Sequence, residues 1–292
     1  MISYNPKEWF TFIFRFHKSD TVRKLAPMLV AIAAYSWLIA WLETDFWKLS
    51  ENNQLRNLTI LHSLLGFVIS MLLVFRTNTA YDRWWEGRKL WGALVNNSRN
   101  LALKLSAILA TEDNSNRHFF RRSIALYASA LAVHLQSETT RLALDETEHP
   151  ELGNVDKSKH IPNQVAAMIF QRVHKLYEAG QIKEAQLIVL NNELQSFADI
   201  CGACERIKNT PIPFSYNEFI KKFIFFYVMT MPVGFVFSLG YWVIPVVVFV
   251  FYVLASIEII AEEIEDPFGG DTNDLPTLKI AGNIKKHVAE LL

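Results

Sequence analysis

Residues 59–75 read TILHSLLGFVISMLLVF and stop at Arg76. The run holds no Asp, Glu, Lys or Arg, and His62 is its one titratable group. An uncharged stretch of this length is close to what the hydrocarbon core of a bilayer demands of a helix, so it reads as a membrane span. Outward from it, Leu25 to Leu42 is also free of charge and at 1.5 Å per residue reaches about 27 Å. Pro27 falls in its first turn, where a missing N–H does no harm. Phe223 to Leu239 and Trp242 to Ile257 form a third and a fourth run, joined by Gly240 and Tyr241 as a tight helical hairpin. Pro232 and Pro245 predict kinks there, because neighbouring helices can meet the freed carbonyls. The expected fold is an all-α integral membrane protein with four transmembrane helices.

The rest of the chain has a different character. Of 292 residues 51% are hydrophobic, and 29 basic side chains cancel 29 acidic ones. Affinity for nucleic acid rests on a surplus of Lys and Arg, so a neutral chain excludes that partner. The first apolar run begins only at Leu25 and is long enough to stay in the membrane, so no cleavable signal peptide is expected. Basic residues flank the spans unevenly. Arg15, Lys18, Arg23 and Lys24 precede the first, Arg76, Arg83, Arg88 and Lys89 follow the second, and Lys221 and Lys222 precede the third. Basic flanks stay in the cytoplasm. A multi-pass protein of the plasma (inner) membrane follows, with both termini and the central region inside and the Glu43 to Asn57 connection outside.

The central region is helical and water-facing in pattern. Leu90, Leu94, Leu101, Leu105 and Ile108 recur at helical spacing over Trp84 to Ala110, and neither a Pro nor a Gly cluster parts this segment from the second span. One long helix is therefore expected to leave the membrane. Arg121 to Leu144, Asn163 to Ala179 and Ile182 to Ile207 read as further helices, hinged at Gly180. The charged stretch Asp145 to Pro162 reads as a loop, and Pro211 with Pro213 ends the region. The chain divides into residues 1–82 with the first two spans, 83–216 as a cytosolic helical domain, and 217–292 with the last two spans, an acidic turn and a tail.

Phe67, Met71 and Phe75 recur every four residues along one face of the second span, beside a face of small residues, Ser63, Gly66 and Ser70. The plain reading is packing, large side chains toward lipid and small ones toward a neighbouring helix. The sharper reading sets the large face around a pore as a hydrophobic gate that sheds water. His62 reads as a neutral histidine bonded to a neighbour. Cys201 and Cys204 have the C-x-x-C spacing of a redox or zinc pair, but on a helix that spacing also marks a packing seam. Glu258, Glu262, Glu263, Glu265 and Asp266 precede a Gly-bearing turn ending at Asp274, which is either a solvated helix end or a set of oxygen ligands for a hard divalent cation. The P-loop, nucleophile-elbow and zinc-protease motifs are absent, so an enzyme is not expected.

Three separated segments together resemble the bestrophin family: Arg83-Trp84-Trp85-Glu86 with Leu90-Trp91-Gly92, Cys204-Glu205-Arg206-Ile207 leading into Pro211-Ile212-Pro213-Phe214, and Glu265-Asp266-Pro267-Phe268-Gly269. The resemblance covers nearly the whole chain and is to a compact prokaryotic member. It implies a symmetric homopentamer around one pore, with Phe67, Met71 and Phe75 as its neck and Ser63, Gly66 and Ser70 packing helices around it. Ile188 is implied as a cytosolic aperture, with Leu187 and Val189 the neighbouring registers. Asp266, Asp271 and Asp274 fall on Ca²⁺-binding positions of animal relatives, though the broken acidic run here implies weaker binding, and no cofactor is required. The partners implied are further copies of the chain, membrane lipid and permeating monovalent ions. Chloride-type anions are the family default, and monovalent cations are the alternative, ahead of a secondary transporter or a membrane scaffold.

Overall fold

The computed structural model describes residues 21–48, 57–136, 155–156 and 158–292. Arg15, Lys18, most of the Glu43 to Asn57 connection, the end of the helix expected to reach Leu144 and the greater part of the charged loop lie outside these residues. Among the described residues every regular element is helical. In chain order they are α1 (Thr21–Trp41), which runs into a π-helical turn (Leu42–Phe46), α2 (Leu58–Ile108), α3 (Asn114–Leu135), α4 (Ile161–Glu178), α5 (Glu184–Asn209), α6 (Phe214–Leu239), a 3₁₀ turn (Gly240–Trp242), α7 (Val243–Glu265) and α8 (Thr277–Leu291).

The chain forms two compact units. One comprises the described residues up to Asp82 together with Pro211–Glu265, and the other comprises Arg83–Thr210 with Asp266–Leu292. The division differs from the expected boundaries: all the apolar helices form one unit, and the central unit ends at Thr210, before the expected 216. The acidic turn and tail do not go with α6 and α7 but with the 83–210 helices, because α8 presents Ala281, Ile284 and Val288 at helical spacing and buries them in that core.

Among the described residues three helical stretches are long and apolar enough to cross a membrane: Thr21–Phe46, Leu58–Ile108 and Phe214–Glu265. The chain is a membrane protein. The last stretch is α6 and α7, parted at Gly240, whose φ of +53° is a conformation that glycine takes without strain. Pro232 lies inside α6. Pro245 stands in the first turn of α7, where amide hydrogens have no intrahelical partner in any case. Ile220, Ile224 and Val228 of α6 meet Val243, Val247 and Phe251 of α7, with Ile69 and Leu73 of α2 and Leu25 and Ile32 of α1 completing the core. Val30, Trp37, Phe226 and Phe249 stay exposed on the outside. Such a rim is costly against water and suits hydrocarbon.

The polar unit is built around α3. Phe120, Ile124, Leu126, Tyr127, Leu131 and Leu135 are all buried there, so this helix is covered on most sides. It starts at Asn114, ahead of the Arg121 that its apolar pattern suggests, at a cap in which Asp113 accepts the Asn116 amide hydrogen at 3.1 Å. Arg117, His118, Arg121 and Arg122 hide these first turns from a hydrophobicity count. α4 ends at Gly180, where φ is +73°. The ring of Phe268, just past α7, is 1% exposed and stands against Gly87 of α2, where a Cβ would come within 3.1 Å of it.

Two substitutions at this contact should separate filling from crowding. Phe268→Ala empties a buried site and should cost about 3–5 kcal/mol. Gly87→Ala overfills it and should cost about 1–3 kcal/mol. Thermal unfolding in mild detergent measures both, and wild-type midpoints in the two variants would show that the ring is not packed as described.

Candidate functional site

In the apolar unit α2 has two distinct faces. His62, Ile69, Leu73 and Arg76 are buried against the other helices. Phe67, Met71 and Phe75 point away and are 65%, 45% and 57% exposed, so nothing within the described chain covers them. The stripe expected from periodicity is therefore one continuous uncovered apolar surface.

On the small-residue face, Gly66 packs toward a neighbouring helix, as the plain reading expects. Gly66 meets α6 of the same chain, where a Cβ would lie 2.9 Å from the Tyr227 hydroxyl. Its smallness serves packing within the subunit. Ser63 and Ser70 turn their hydroxyls back onto their own helix, donating to the carbonyls of Thr59 at 3.1 Å and Gly66 at 2.7 Å. Both remain exposed. His62 lies against Tyr227 as well, with Nδ1 2.8 Å from the Leu58 carbonyl and Nε2 3.0 Å from the Thr230 hydroxyl. Both ring nitrogens are met, as a packing histidine requires.

Arg76 is the residue whose importance the sequence conceals. It ends the uncharged run and reads as a cytoplasmic flank, yet it has no solvent exposure. Its guanidinium donates to Glu265 at 2.7 Å and lies 3.6 Å from Glu258. The other Glu265 oxygen accepts the Ile212 amide hydrogen at 2.7 Å. Further along α7, Glu263 pairs with Lys24, and Glu262 with Lys221 at 2.9 Å. The acidic series is engaged in ion pairs. Its four glutamates face the bases that flank the apolar runs of α1, α2 and α6. The sequence signal for this was available, since Lys24, Arg76 and Lys221 each stand beside a different span and the carboxylates stand at the end of the last.

In the polar unit the three separated sequence motifs meet. The Arg83 guanidinium donates to the Ile207 carbonyl at 2.6 Å and to that of Thr210. Glu86 pairs with Arg206 at 2.8 Å, and the Trp84 indole donates to the Asn273 carbonyl at 3.1 Å. Ile188 stands in the second turn of α5 and is 67% exposed, as is Val189 at 49%, while Leu187 packs against the core.

The acidic turn is closed by its own hydrogen bonds. Asp274 is buried, and its carboxylate accepts the Asp271 amide hydrogen at 2.6 Å. The carbonyls of Asp266 and Asp271 accept the amide hydrogens of Gly269 and Asp274. Asp266 and Asp271 are exposed, and among the described residues the three carboxylates are not gathered into one ligand set. Cys201 and Cys204 are free and buried on α5, and burial pushes both thiols up to about 12. Neither is a ready thiolate, so the pair belongs to the packing seam.

The chain is similar to known proteins over almost its whole length. Residues 1–290 match the family described as Bacterial/Fungal Bestrophin protein. The voltage-dependent anion channel-forming protein alr2987 of Nostoc sp. is 32% identical over 98% of this chain and 92% of its own length. The voltage-dependent anion channel-forming protein YneE of Escherichia coli is 32% identical over 76% of this chain and 73% of its own. A crystal structure of a mutated bacterial bestrophin homologue from Klebsiella pneumoniae superposes with a TM-score of 0.81 at 26% identity, covering 92% of this chain and 98% of that one.

Removing the Arg76 cation while leaving its carboxylates buried should be strongly destabilising. Arg76→Met is expected to cost about 3–5 kcal/mol. The triple variant Arg76→Met, Glu258→Gln, Glu265→Gln should recover part of that loss, since the side-chain amide introduced by the last change keeps an oxygen to accept the Ile212 amide hydrogen. Gly66→Leu should lower the thermal midpoint of the subunit itself. Detergent unfolding midpoints check all three, and a triple variant weaker than Arg76→Met alone would refute the pairing.

Proposed function

Because the chain belongs to the bestrophin family, we propose that it is a passive anion channel of the bestrophin type, assembled as a homopentamer around one axial pore. The relatives' names supply the anion preference. The observation that carries the pore assignment is the uncovered stripe Phe67, Met71 and Phe75, opposite a face of α2 that is already buried. One subunit's spans leave no aqueous path between them, whereas copies of α2 around an axis enclose one.

In this reading α1, the first part of α2, α6 and α7 each cross the plasma membrane once. The basic residues Lys24, Arg76, Arg83, Arg88, Lys89, Lys221 and Lys222 keep the polar unit and both termini in the cytoplasm. Five apolar side chains at each level of the neck form a constriction from which water withdraws, and a permeating ion meets a desolvation barrier that no fixed charge offsets. Ile188 supplies a second apolar ring where α5 borders the cytosolic route. Ca²⁺ at Asp266, Asp271 and Asp274 is not required by this reading.

Planar-bilayer recording of the purified protein under a salt gradient tests the proposal. Discrete unitary steps with a reversal potential toward that of chloride are expected. A potential toward that of the cation would reverse the selectivity, and saturating flux without unitary steps would favour a transporter. The Phe67→Ala, Met71→Ala, Phe75→Ala variant should conduct more than wild type. Mass measurement in mild detergent should give about five chains per particle, and a conducting monomer would end the axial-pore assignment.

A further inference from the structure

Within the polar unit, three side chains from three elements converge. His134 stands in the last turn of α3, His160 is the residue that caps α4, and Glu205 lies in the C-terminal half of α5. The Nε2 atoms of the two histidines lie 2.5 and 2.6 Å from one and the same Glu205 oxygen, Oε1. The imidazole centroids are 4.3 Å apart. Among the described residues this is the one set of three potential ligand side chains whose donor atoms all lie within 4.8 Å of one another.

We infer that His134, His160 and Glu205 form a binding site for a borderline divalent transition metal, with Zn²⁺ the natural occupant. Here both rings converge on one oxygen at hydrogen-bond distance, so the three donor atoms already face a common point and need separate only to about 3.3 Å from one another to receive a tetrahedral ion. Two imidazole nitrogens and one carboxylate oxygen are a donor set that Zn²⁺ takes, and hard cations such as Ca²⁺ do not. The side chains are 16%, 31% and 29% exposed, so the site is sheltered but open on one side. A fourth position is left for water, as in three-ligand zinc sites.

The ligands are held from behind. Lys208 donates to the carbonyls of His134 at 3.3 Å and Gln136 at 3.0 Å, which holds the end of α3. The residue after Glu205, Arg206, is tied to Glu86. Metal at the His160 Nε2 would shift the ring proton to Nδ1 and displace one contact, the Asn163 amide hydrogen at 3.2 Å. That single long cap contact is a small loss against a chelate joining three elements. The site would clamp the segment entering α4 onto α3 and α5, and it is independent of which ion the channel conducts.

The test uses the full-length protein in detergent, freed of any affinity tag, stripped with chelator and then equilibrated with Zn²⁺. Elemental analysis should give about one zinc per chain, and Co²⁺ in its place should show the intense visible bands of a four-coordinate site. Zinc should raise the thermal midpoint of the wild type. The His134→Ala, His160→Ala variant should lose the metal, the cobalt bands and the midpoint shift together. Glu205→Gln should weaken binding by at least about tenfold. Cys201→Ser, Cys204→Ser should keep full stoichiometry, which separates this site from the thiols. Should the double histidine variant fail to fold, His134→Ala alone provides the same comparison. Substoichiometric zinc in the wild type, or unchanged zinc in the histidine variants, overturns the inference and leaves a carboxylate that merely accepts two imidazole hydrogen bonds.

Discussion

A guanidinium withdrawn wholly from solvent imposes conditions on everything near it, and Arg76 is such a group. Burying an isolated charge costs several kcal/mol even after relaxation, so its carboxylate partners must be present in the folded state. Glu265 and Glu258 both come from α7, and Glu265 also takes the Ile212 amide hydrogen at the entry to α6. Three helices of the apolar unit are thereby fixed in register at one level. Lys24 on Glu263 adds α1 to the same end of α7. The apolar contacts of Ile69 and Leu73 with α6 and α7 could slide by a turn at modest cost, whereas the ion pairs could not. The hydrophobic effect gathers these helices, and the buried charges determine how they meet.

That register decides which face of α2 is left outside. With Arg76, Leu73, Ile69 and His62 turned inward, helical geometry requires Phe67, Met71 and Phe75 to turn away. Gly66 sits at the seam between these faces, and its missing side chain lets α2 approach the Tyr227 hydroxyl of α6. The orientation of the outward stripe is thus enforced by residues that are not in the stripe. This explains why the polar residues of the span, His62, Ser63 and Ser70, are quiet: each satisfies itself locally or within the subunit, and none is presented as a charge on the outward face.

Much of this is legible in the sequence because the strongest signals are the simplest ones. Uncharged runs locate α1, the first part of α2, α6 and α7, and the period of four picks out the stripe. The continuity of α2 follows from the absence of breakers. Sequence reasoning fails where a residue's meaning depends on what it meets across the fold. Arg76 looks like a flank until Glu258 and Glu265 arrive from almost two hundred residues away. The start of α3 escapes detection because a capping Asp and four basic or histidine side chains conceal its first turns. Sequence adjacency to α7 points α8 to the wrong unit, against the evidence of its own amphipathic face. His134 and His160 show no spacing pattern at all, since their neighbourhood is made by the approach of α4 to α3 and by α5.

The three motifs that carry the family resemblance have a common physical cause. Arg83, Trp84, Glu86 and Gly87 of α2 receive the end of α5 through Ile207, Thr210 and Arg206, and the turn after α7 through Asn273 and Phe268. Each partner is short-range, directional or tightly fitted, so each restricts residue type more than a generic apolar contact does. Core positions such as Leu94 or Leu131 can exchange among aliphatic residues at small cost. An arginine serving two carbonyls, or a glycine against a phenylalanine ring, cannot. Separated stretches of chain are thus halves of the same contacts, and the rest of the core is held by size and polarity.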